Sequence, residues 1–546
     1  MSLRPFLIAA ETITMTRADD AVGRSHLLAQ LGAALPGIRL SVSDLSLYQT
    51  DIYYVSEHLP IAAVSPCSTE QVAALVMAAN RLGITLASRG AGLSYSAGYI
   101  AENDRTVLVD MTHMDQICDV QPQDRYITVE AGVTWSRLRD VLKPYGLTTP
   151  FWGTFSGLHA TVGATVSQGG KFYGSASRGT SAESVLGLQV VTGMGEVLTT
   201  GSAASISEAS PFFRNYGPDL TGLFLGDCGA FGIKTRITLQ LIPIAAETGF
   251  SSFSFDDPGA QLGAMGQIGA ELLASECLGM DPFTARSRMA SEGITSDLAT
   301  LVGIVKGSGS LLSGLKDAAL IAASGRRFAD KVGYLMNCVC EGRDAADLRS
   351  KLKRVRQIAT AAGGRPIPAS IPRVMRAMPF PRMNGLLTPS AKRMNWLHTV
   401  VPNSRGGECF TRTEEIFSRH ADLMKECGID RGYLLSTHGP SGVGVETLIR
   451  WSDAPYALHT HFMTDAERSK IKQRPANPCS AQAVREISKD IVEAWRGLSG
   501  VHMQIGRKYP YFATRQPGTA KLLEDLKTNL DPNNIINPGN LFAIHQ

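Results

Sequence analysis

The chain has 546 residues, of which 44% are hydrophobic and 19% are charged, and its formal net charge is +4. This length predicts several domains, and the ordinary hydrophobic content excludes a largely disordered chain. The nearly balanced charge argues against a nucleic-acid-binding protein, which would carry a clustered basic face. No apolar run reaches the roughly 18 residues of a membrane span, and no signal peptide is recognised, so a cytoplasmic protein without a membrane span is predicted.

The cysteines and histidines give no metal signature. Nine cysteines are scattered along the chain without a CxxC pair, which predicts reduced thiols rather than a disulfide framework or a zinc site. His459 and His461 have a metal-ligand spacing on a predicted strand, but two ligands without a nearby carboxylate are too few. No metal is therefore predicted.

The first elements in chain order mix helices with short strands. A helix is predicted over Ala21–Ala34. IAAVSPCS and ITLASRG then predict strands on either side of the helix TEQVAALVMAANRLG, with Thr69 as its N-terminal cap. Short strands follow in TVLVDM, in YITVEAGV and in VLGLQVVTGMGEVLTT, a predicted hairpin with its turn at 193–196. These patterns predict an α+β unit over 59–243.

The pattern changes after residue 243. Helices are predicted over Asp317–Ala323, Ala345–Ala361 and Thr413–Cys427, with strands in GYLMNCVC, NWLHTVVP and ETLIRW. The tail contains the amphipathic helix AVREISKDIVEAW, a basic and aromatic loop, and the turn DPNNIINPGNLF. The predicted organisation is one domain over 1–243, a second over 244–480 and a C-terminal segment over 481–546.

Two glycine-rich segments could let the backbone approach a ligand closely. The first, Arg89-Gly90-Ala91-Gly92-Leu93-Ser94, follows a predicted strand, and its successive amides can converge on an anion. The second runs from Gly157 to Gly163 and continues through 169–175, where small residues suit a chain lying flat against a planar ligand. The alternative is a tight surface turn for the first segment and a plain glycine-rich connection for the second. The dinucleotide fingerprint GxGxxG is missing from the sequence, which argues against a Rossmann-type site.

The order of these segments resembles the FAD-binding domain of the vanillyl-alcohol oxidase / p-cresol methylhydroxylase (PCMH-type) superfamily. The similarity runs through RGAG, ITVEAGVTW, ATVGATVSQGG, SVLGLQVVTGMGEVLTTG and DLTGLFLGDCGAFGIKTRITLQLIP. The final DPNNIINPGNLF is similar to the last turn of that superfamily. The resemblance implies a two-domain α+β fold: a PCMH-type FAD-binding domain over 1–243, with 481–546 returning to it, and an α/β cap (substrate) domain over 244–480.

The resemblance also implies how the chain holds its cofactor, FAD. The loop from Arg89 to Ser94 would bind the pyrophosphate, 157–163 and 167–174 would line the flavin ring and ribityl chain, and 229–233 would contact the adenine side. Asn537 would close over the flavin. The complete predicted set is Ser88, Arg89, Gly90, Ala91, Gly92, Leu93, Ser94, Gly157, Leu158, His159, Thr161, Val162, Gly163, Ser167, Gly170, Tyr173, Gly174, Ile233 and Asn537. Leu93 and His159 stand where covalently flavinylated members carry their linking His and Cys, which favours non-covalent FAD.

The catalytic candidates lie in the second half of the chain. His502, Arg507 and Tyr509 share a loop whose basic and phenolic groups suit an aromatic or anionic substrate. His502 is the first candidate for the catalytic base, before Tyr509 and His438, and Arg507 would bind the substrate. SGVHMQIGRKYPYF is similar to the glycolate/D-lactate dehydrogenase branch, but Val501 and the residues after His438 depart from that branch's metal motif.

Three functions remain open from the sequence. The first is an FAD-dependent oxidase or dehydrogenase that moves a hydride from an aromatic or phenolic alcohol to flavin N5. The second is an FAD-linked 2-hydroxyacid dehydrogenase, and the third is a non-catalytic flavin-binding protein. The implied partners are a small-molecule substrate and either oxygen or a protein as electron acceptor, with a homodimer among the open oligomeric states.

Overall fold

The computed structural model describes residues 17–207, 209–291, 333–382, 392–469 and 474–543. The predicted helix Asp317–Ala323 lies outside them. The described chain forms two units that share one cavity.

The first unit contains two main sheets. Its strands are β1 (Arg39–Ser41), β2 (Ala62–Ser65), β3 (Thr85–Arg89), β4 (Thr106–Asp110), β5 (Ile117–Gln121), β6 (Tyr126–Glu130), β7 (Leu147–Thr148), β8 (Val185–Val191), β9 (Val197–Thr199), β10 (Ile233–Gln240) and β11 (Ile242–Pro243). One sheet has the order β1-β2-β4-β3, with β2 and β3 both parallel to β4. The other has the antiparallel order β5-β6-β10-β8-β9. The predicted hairpin is confirmed, because Val191 pairs with Val197.

Helices connect and cover these strands. They are α1 (Arg17–Ala34), α2 (Thr69–Leu82), α3 (Trp135–Leu142), α4 (Val162–Gln168), α5 (Ser175–Arg178) and α6 (Leu220–Leu223). Helix α2 buries Val72, Leu75 and Ala79, as its periodicity predicts. Its N-terminal cap is Ser68 rather than Thr69, because the Ser68 side chain accepts the Gln71 amide hydrogen.

The second unit is built on an antiparallel sheet, named here the cap sheet. Its strands are β12 (Glu247–Phe255), β13 (Glu276–Met280), β14 (Tyr334–Gly342), β15 (Arg365–Ile367), β16 (Lys392–Pro402), β17 (Asp430–His438) and β18 (Gly442–Ser452). Their order is β15-β12-β14-β13-β17-β18-β16. One face of the cap sheet carries the helices, and the other face borders the first unit.

The helices of the second unit correct several predictions. They are α7 (Pro258–Ala270), α8 (Pro282–Ser291), α9 (Ala345–Ala361), α10 (Ser370–Ala377), α11 (Gly406–Arg419), α12 (Ala421–Glu426), α13 (Ala457–His461), α14 (Asp465–Arg468) and α15 (Pro478–Arg496). The prediction for Ala345–Ala361 is confirmed. The single helix over Thr413–Cys427 is wrong, because α11 ends before His420 and α12 begins after it. His459 and His461 lie on helix α13, not on a strand.

Two further expectations about this unit are also wrong. Cys427, which follows α12, and Cys479 in α15 form a disulfide, so the thiols are not all reduced. Helix α15 packs in the same hydrophobic cluster as the cap sheet, with Ile491 and Trp495 fully buried. The second unit therefore continues to about Leu498, beyond the predicted boundary at 480.

After Leu498 the chain returns to the first unit. Val501 forms a bridge to Val400 of β16, and the Gln504 amide donates to the Gln168 carbonyl oxygen at 2.9 Å. Helix α16 (Pro517–Leu530) follows, and Asn537 then donates its amide hydrogen to the Leu86 carbonyl oxygen of β3 at 2.7 Å. The C-terminal turn is thereby fixed beside the strand that leads into the first glycine loop. None of the described helices is both long and apolar enough to cross a membrane.

Candidate active site

A cavity lies between the first unit and the face of the cap sheet that borders it. Its atom-free space, with the open mouth included, is about 1510 Å³. The first unit contributes the glycine loop at 88–95 and parts of 160–172 and 232–234, and the cap sheet contributes Trp396, Leu434 and Glu446. The two units therefore build the site together, as is usual for ligand pockets at domain junctions.

The first glycine loop forms an open cradle on the cavity wall. Gly92 has a φ of +75°, and a Cβ atom there would lie 1.9 Å from the Arg89 guanidinium. A Cβ at Gly90 would lie 2.6 Å from the Thr161 hydroxyl oxygen. The amides of Ala91, Gly92 and Leu93 donate no hydrogen bond to any described part of the chain. Free amides on a side-chain-free loop fit an anionic group such as the pyrophosphate of FAD.

Asn537 supports this loop from behind. Its Oδ1 accepts the Ser88 amide hydrogen at 2.9 Å, and its Nδ2 donates to the Gly229 carbonyl oxygen at 2.8 Å. The side chain is buried and is not part of the cavity wall. The predicted closure of Asn537 over the flavin is not supported by this geometry, and its contacts tie the C-terminal turn to β3 and to the segment at Gly229.

The predicted cofactor residues divide into two groups. Those on the cavity wall are Ser88, Arg89, Gly90, Ala91, Gly92, Leu93, Ser94, Thr161, Gly163, Ser167, Gly170 and Ile233. Those elsewhere are Gly157, Leu158, His159, Val162, Tyr173, Gly174 and Asn537. The second group largely packs behind the wall: Val162 is in the core, and Tyr173 stacks on Trp152 with ring centroids 4.2 Å apart. His159 lies in a neighbouring cavity beside Phe462.

The part of the cavity that touches the cap sheet is named here the cap end. Its walls are largely aromatic and apolar, and they are formed by Tyr95, Phe155, Phe172, Trp396 and Leu434. Glu446 of β18 lies directly between His398 of β16 and Leu434 of β17 in the sheet register. Residues opposite each other in a sheet share a face, so the Glu446 carboxylate stands on the cavity side of the cap sheet.

Lys171 and Glu446 form an ion pair across the two units. The Lys171 Nζ lies 2.7 Å from the Glu446 Oε1, and the side chains are 6% and 11% exposed. The same Nζ is 3.2 Å from the His438 Nε2 and 3.5 Å from the Ser436 Oγ. Burial, and then the charge of Lys171, hold the pKa of His438 well below its usual range, so this imidazole is neutral at pH 7.

His502, the predicted base, does not line the cavity. Its Nδ1 donates to the His398 carbonyl oxygen at 2.8 Å, and its ring stacks on Tyr509 with centroids 4.0 Å apart. Burial lowers the pKa of His502 to about 4, which makes it a weak proton acceptor. Tyr509 is fully buried, and its hydroxyl accepts the His398 amide hydrogen at 3.0 Å. The predicted base roles of His502 and Tyr509 are not supported by this geometry.

Arg507 and Lys508 are also turned away from the cavity. Arg507 donates to the carbonyl oxygens of Ala97 and Ile100 and forms an ion pair with Glu102. Lys508 donates to the Tyr95 carbonyl oxygen at 3.2 Å, to the Asn395 Oδ1 at 2.8 Å and to the Trp396 carbonyl oxygen. The predicted role of Arg507 in binding the substrate is not supported by this geometry, because Arg507 does not line the cavity and donates to carbonyl oxygens of the protein.

Replacing Arg507 by methionine is expected to lower stability without changing substrate affinity. The buried carbonyl oxygens of Ala97 and Ile100 and the partly exposed Glu102 carboxylate would lose their donor, at a cost of about 2–4 kcal/mol. Thermal unfolding measures the loss, and Arg496→Met, which breaks only an exposed pair with Glu493, is the matched control. A normal melting temperature together with weaker substrate binding would show instead that Arg507 binds the substrate.

Lys171 and Glu446 are the site residues that the sequence predictions missed. Each had a signal: Lys171 follows Gly169 and Gly170 directly, and Glu446 is the only charged residue in the apolar stretch GVGVETLI. A buried charged residue inside a largely apolar stretch of a strand must find a partner or a ligand. The sequence could not show that these two residues are partners, because 275 positions separate them.

FAD is expected to be released when the protein is denatured. Leu93 has no nucleophilic atom, and His159 lies in the neighbouring cavity, so neither side chain is placed to bond to the cofactor. Precipitation with trichloroacetic acid should leave a yellow supernatant and a colourless pellet. A yellow pellet would show a covalent link and would direct attention to His159.

Comparison with known proteins agrees with this site. Residues 60–201 match the family model of the FAD binding domain. The chain is 28% identical over 226 residues to the glycolate oxidase subunit GlcD of Escherichia coli (strain K12), a match that covers 41% of this chain and 43% of that protein. The match thus spans less than half the length of this curated relative.

Two solved structures share the whole fold. The structure of p-cresol methylhydroxylase with substrate bound has a TM-score of 0.70 at 18% identity and covers 97% of this chain and 98% of that one. The 4-ethylphenol oxidase from Gulosibacter chungangensis, in its isoeugenol complex, has a TM-score of 0.71 at 18% identity and covers 98% and 99%.

The fold and the glycine cradle define an FAD-binding protein with two units, and FAD is its cofactor. The predicted resemblance to the PCMH-type superfamily is confirmed for the FAD-binding domain and for the two-domain fold.

Proposed function

We propose that the protein is an FAD-dependent oxidoreductase that oxidises an uncharged aromatic or phenolic alcohol. The cap end carries this proposal, because its aromatic walls surround an ion pair whose two charges cancel. Flat apolar walls favour a ring, and a neutral pair favours a neutral hydroxyl over a carboxylate. The similarity of fold to a 4-ethylphenol oxidase and to p-cresol methylhydroxylase supports a phenolic ring in the substrate.

The charges around the cap end argue against an acidic substrate. Lys171 is paired with Glu446, and Lys508 and Arg507 donate to acceptors of the protein. Among the described residues, these cations already have partners in the protein, so a substrate carboxylate at the cap end would find none free to pair with it. It would also stand close to the Glu446 carboxylate. A 2-hydroxyacid remains the second candidate, because the curated relative in Escherichia coli is a glycolate oxidase subunit.

Bound FAD supplies the acceptor for a hydride at flavin N5. The Glu446 carboxylate would take the hydroxyl proton of the substrate. The hydrogen on the same carbon would leave as a hydride, together with both electrons of its bond. The product is then a carbonyl compound. Lys171 pairs with Glu446 before the reaction, and Tyr95, Phe172 and Trp396 hold the ring and exclude water.

Anaerobic mixing of the holoprotein with single compounds tests this proposal. We expect 4-hydroxybenzyl alcohol to bleach the visible flavin band and D-lactate and glycolate to leave it unchanged. Bleaching by the two acids alone would establish the second candidate. No bleaching by any compound of either class, with a flavin that dithionite still reduces, would favour the non-catalytic flavin-binding protein.

A further inference from the structure

A second, smaller cavity lies directly behind the Lys171–Glu446 pair. It has about 280 Å³ of atom-free space, and Lys171, Glu446, Ser436, His438 and Cys277 are among its lining residues. Lys171 and Glu446 also line the main cavity, so the ion pair is the wall between the two spaces. The small cavity is bordered by the end of β17 and by α5, close to the turn between β17 and β18.

A continuous row of polar contacts crosses this wall. The Glu446 Oε1 is 2.7 Å from the Lys171 Nζ, which is 3.2 Å from the His438 Nε2. The Ser436 Oγ lies 2.9 Å from the same Nε2 and fixes the ring from a second side. Each step is within hydrogen-bond reach, as proton transfer requires.

The hydrogen bonds determine which nitrogen of His438 carries the proton. Lys171 is a donor only, and the His438 ring is neutral, so Nε2 must be the acceptor and Nδ1 carries the hydrogen. The Nδ1 atom is buried and has no hydrogen-bond partner in the described part of the chain. A buried N–H without a protein partner at the edge of a cavity is placed to donate to water.

We propose that His438 and Lys171 carry the substrate's hydroxyl proton from Glu446 to water. This inference rests on the proposed function. When Glu446 takes the proton, it becomes neutral and no longer balances the Lys171 ammonium, which then gives a proton to the His438 Nε2. Lys171 regains a proton from Glu446, and His438 releases its Nδ1 proton to water. The hydride and its electron pair leave by the separate route to flavin. Glu446 and Lys171 are then back in their starting states, and His438, left with its hydrogen on Nε2, must return to the Nδ1-protonated tautomer before the next turnover.

The groups around His438 fit this direction of transfer. The charged groups that face it are Lys171 and, across the small cavity, Glu446; Ser436 and the Cys277 thiol complete its polar surroundings. Lys171 repels a proton on His438, so an imidazolium formed there is short-lived and discharges readily. His438 thus accepts a proton from Lys171 only while Glu446 is neutral.

Stopped-flow reduction by 4-hydroxybenzyl alcohol, with a pH-indicator dye, tests the relay in His438→Gln. In the wild type, proton release should keep pace with flavin bleaching. In His438→Gln we expect proton release to slow by about tenfold or more, and in His438→Ala we expect added imidazole to restore it. His459→Gln is the matched control, because His459 is a buried histidine outside both cavities and should change neither rate. Retained FAD absorbance shows that each variant is folded.

A second readout does not depend on turnover. In 15N-histidine spectra of the substrate-free holoprotein, the signal lost in His438→Gln should have the shift of a neutral ring protonated on Nδ1. An Nε2-protonated ring, or unchanged proton release in His438→Gln, would overturn the relay while the proposed function stands. If the alcohol fails to bleach even the wild type, the proposed function and the relay that rests on it are both contradicted.

Discussion

Gly92→Asp is expected to abolish FAD binding and to leave the rest of the fold in place. Gly92 has a positive φ, is buried at the centre of the cradle, and has the Arg89 guanidinium where a Cβ would lie. The new carboxylate would stand among the free amides of the loop and would repel the pyrophosphate. Together these effects should weaken FAD affinity by at least about 100-fold, or ~3 kcal/mol.

Gly217→Asp is the control that distinguishes the effect of a carboxylate in the cradle from the effect of backbone strain at a positive φ. Gly217 has a φ of +87°, close to that of Gly92, but no atom of the described residues lies within 4 Å of its Cβ position. Titration of the apoprotein with FAD, followed by flavin fluorescence, should therefore give normal affinity for Gly217→Asp. Circular dichroism shows whether both variants are folded. Equal FAD affinities in the two variants would show that the first glycine loop does not face the phosphates.

Local sequence signals located the cofactor end of the site but not the substrate end. The glycine loop after β3 could be predicted, because positive φ and close backbone approach leave a direct mark in the residue types. The cap end depends on contacts between distant segments. Lys171 meets Glu446 only because the cap sheet folds onto the first unit, and no periodicity in the sequence encodes that approach.

The same distinction explains the wrong catalytic candidates. A basic and aromatic loop is a reasonable sequence signal for a substrate site, and Arg507, Lys508 and Tyr509 lie beside the cavity wall. Their side chains, however, form hydrogen bonds with the backbone of Ala97, Trp396 and His398, which are more than 100 positions away in the sequence. Such side chains fix the C-terminal segment between the two units. Residue type alone cannot distinguish a charge that stabilises the fold from one that binds a ligand.

Glu446→Gln is expected to slow flavin reduction by about 10²–10⁴-fold while FAD stays bound. The amide has the size and shape of the carboxylate but cannot take the hydroxyl proton. Because the glycine cradle and the aromatic walls are unchanged, substrate affinity should stay within a few-fold of normal. The limiting rate of flavin bleaching at saturating 4-hydroxybenzyl alcohol measures the effect, and the substrate dependence of that rate reports the affinity.

This substitution also leaves the buried Lys171 ammonium without its counter-charge, which should cost about 3–5 kcal/mol of stability. Stability and catalysis can be separated with the double variant Lys171→Met with Glu446→Gln. Removing both charges should recover most of the lost stability, because no unpaired charge remains, yet flavin reduction should stay slow. If the double variant instead reduces flavin at the wild-type rate, the slow reduction in Glu446→Gln came from the unpaired Lys171. Glu446 would then be a structural partner of Lys171, and the proton acceptor would be another group at the cap end.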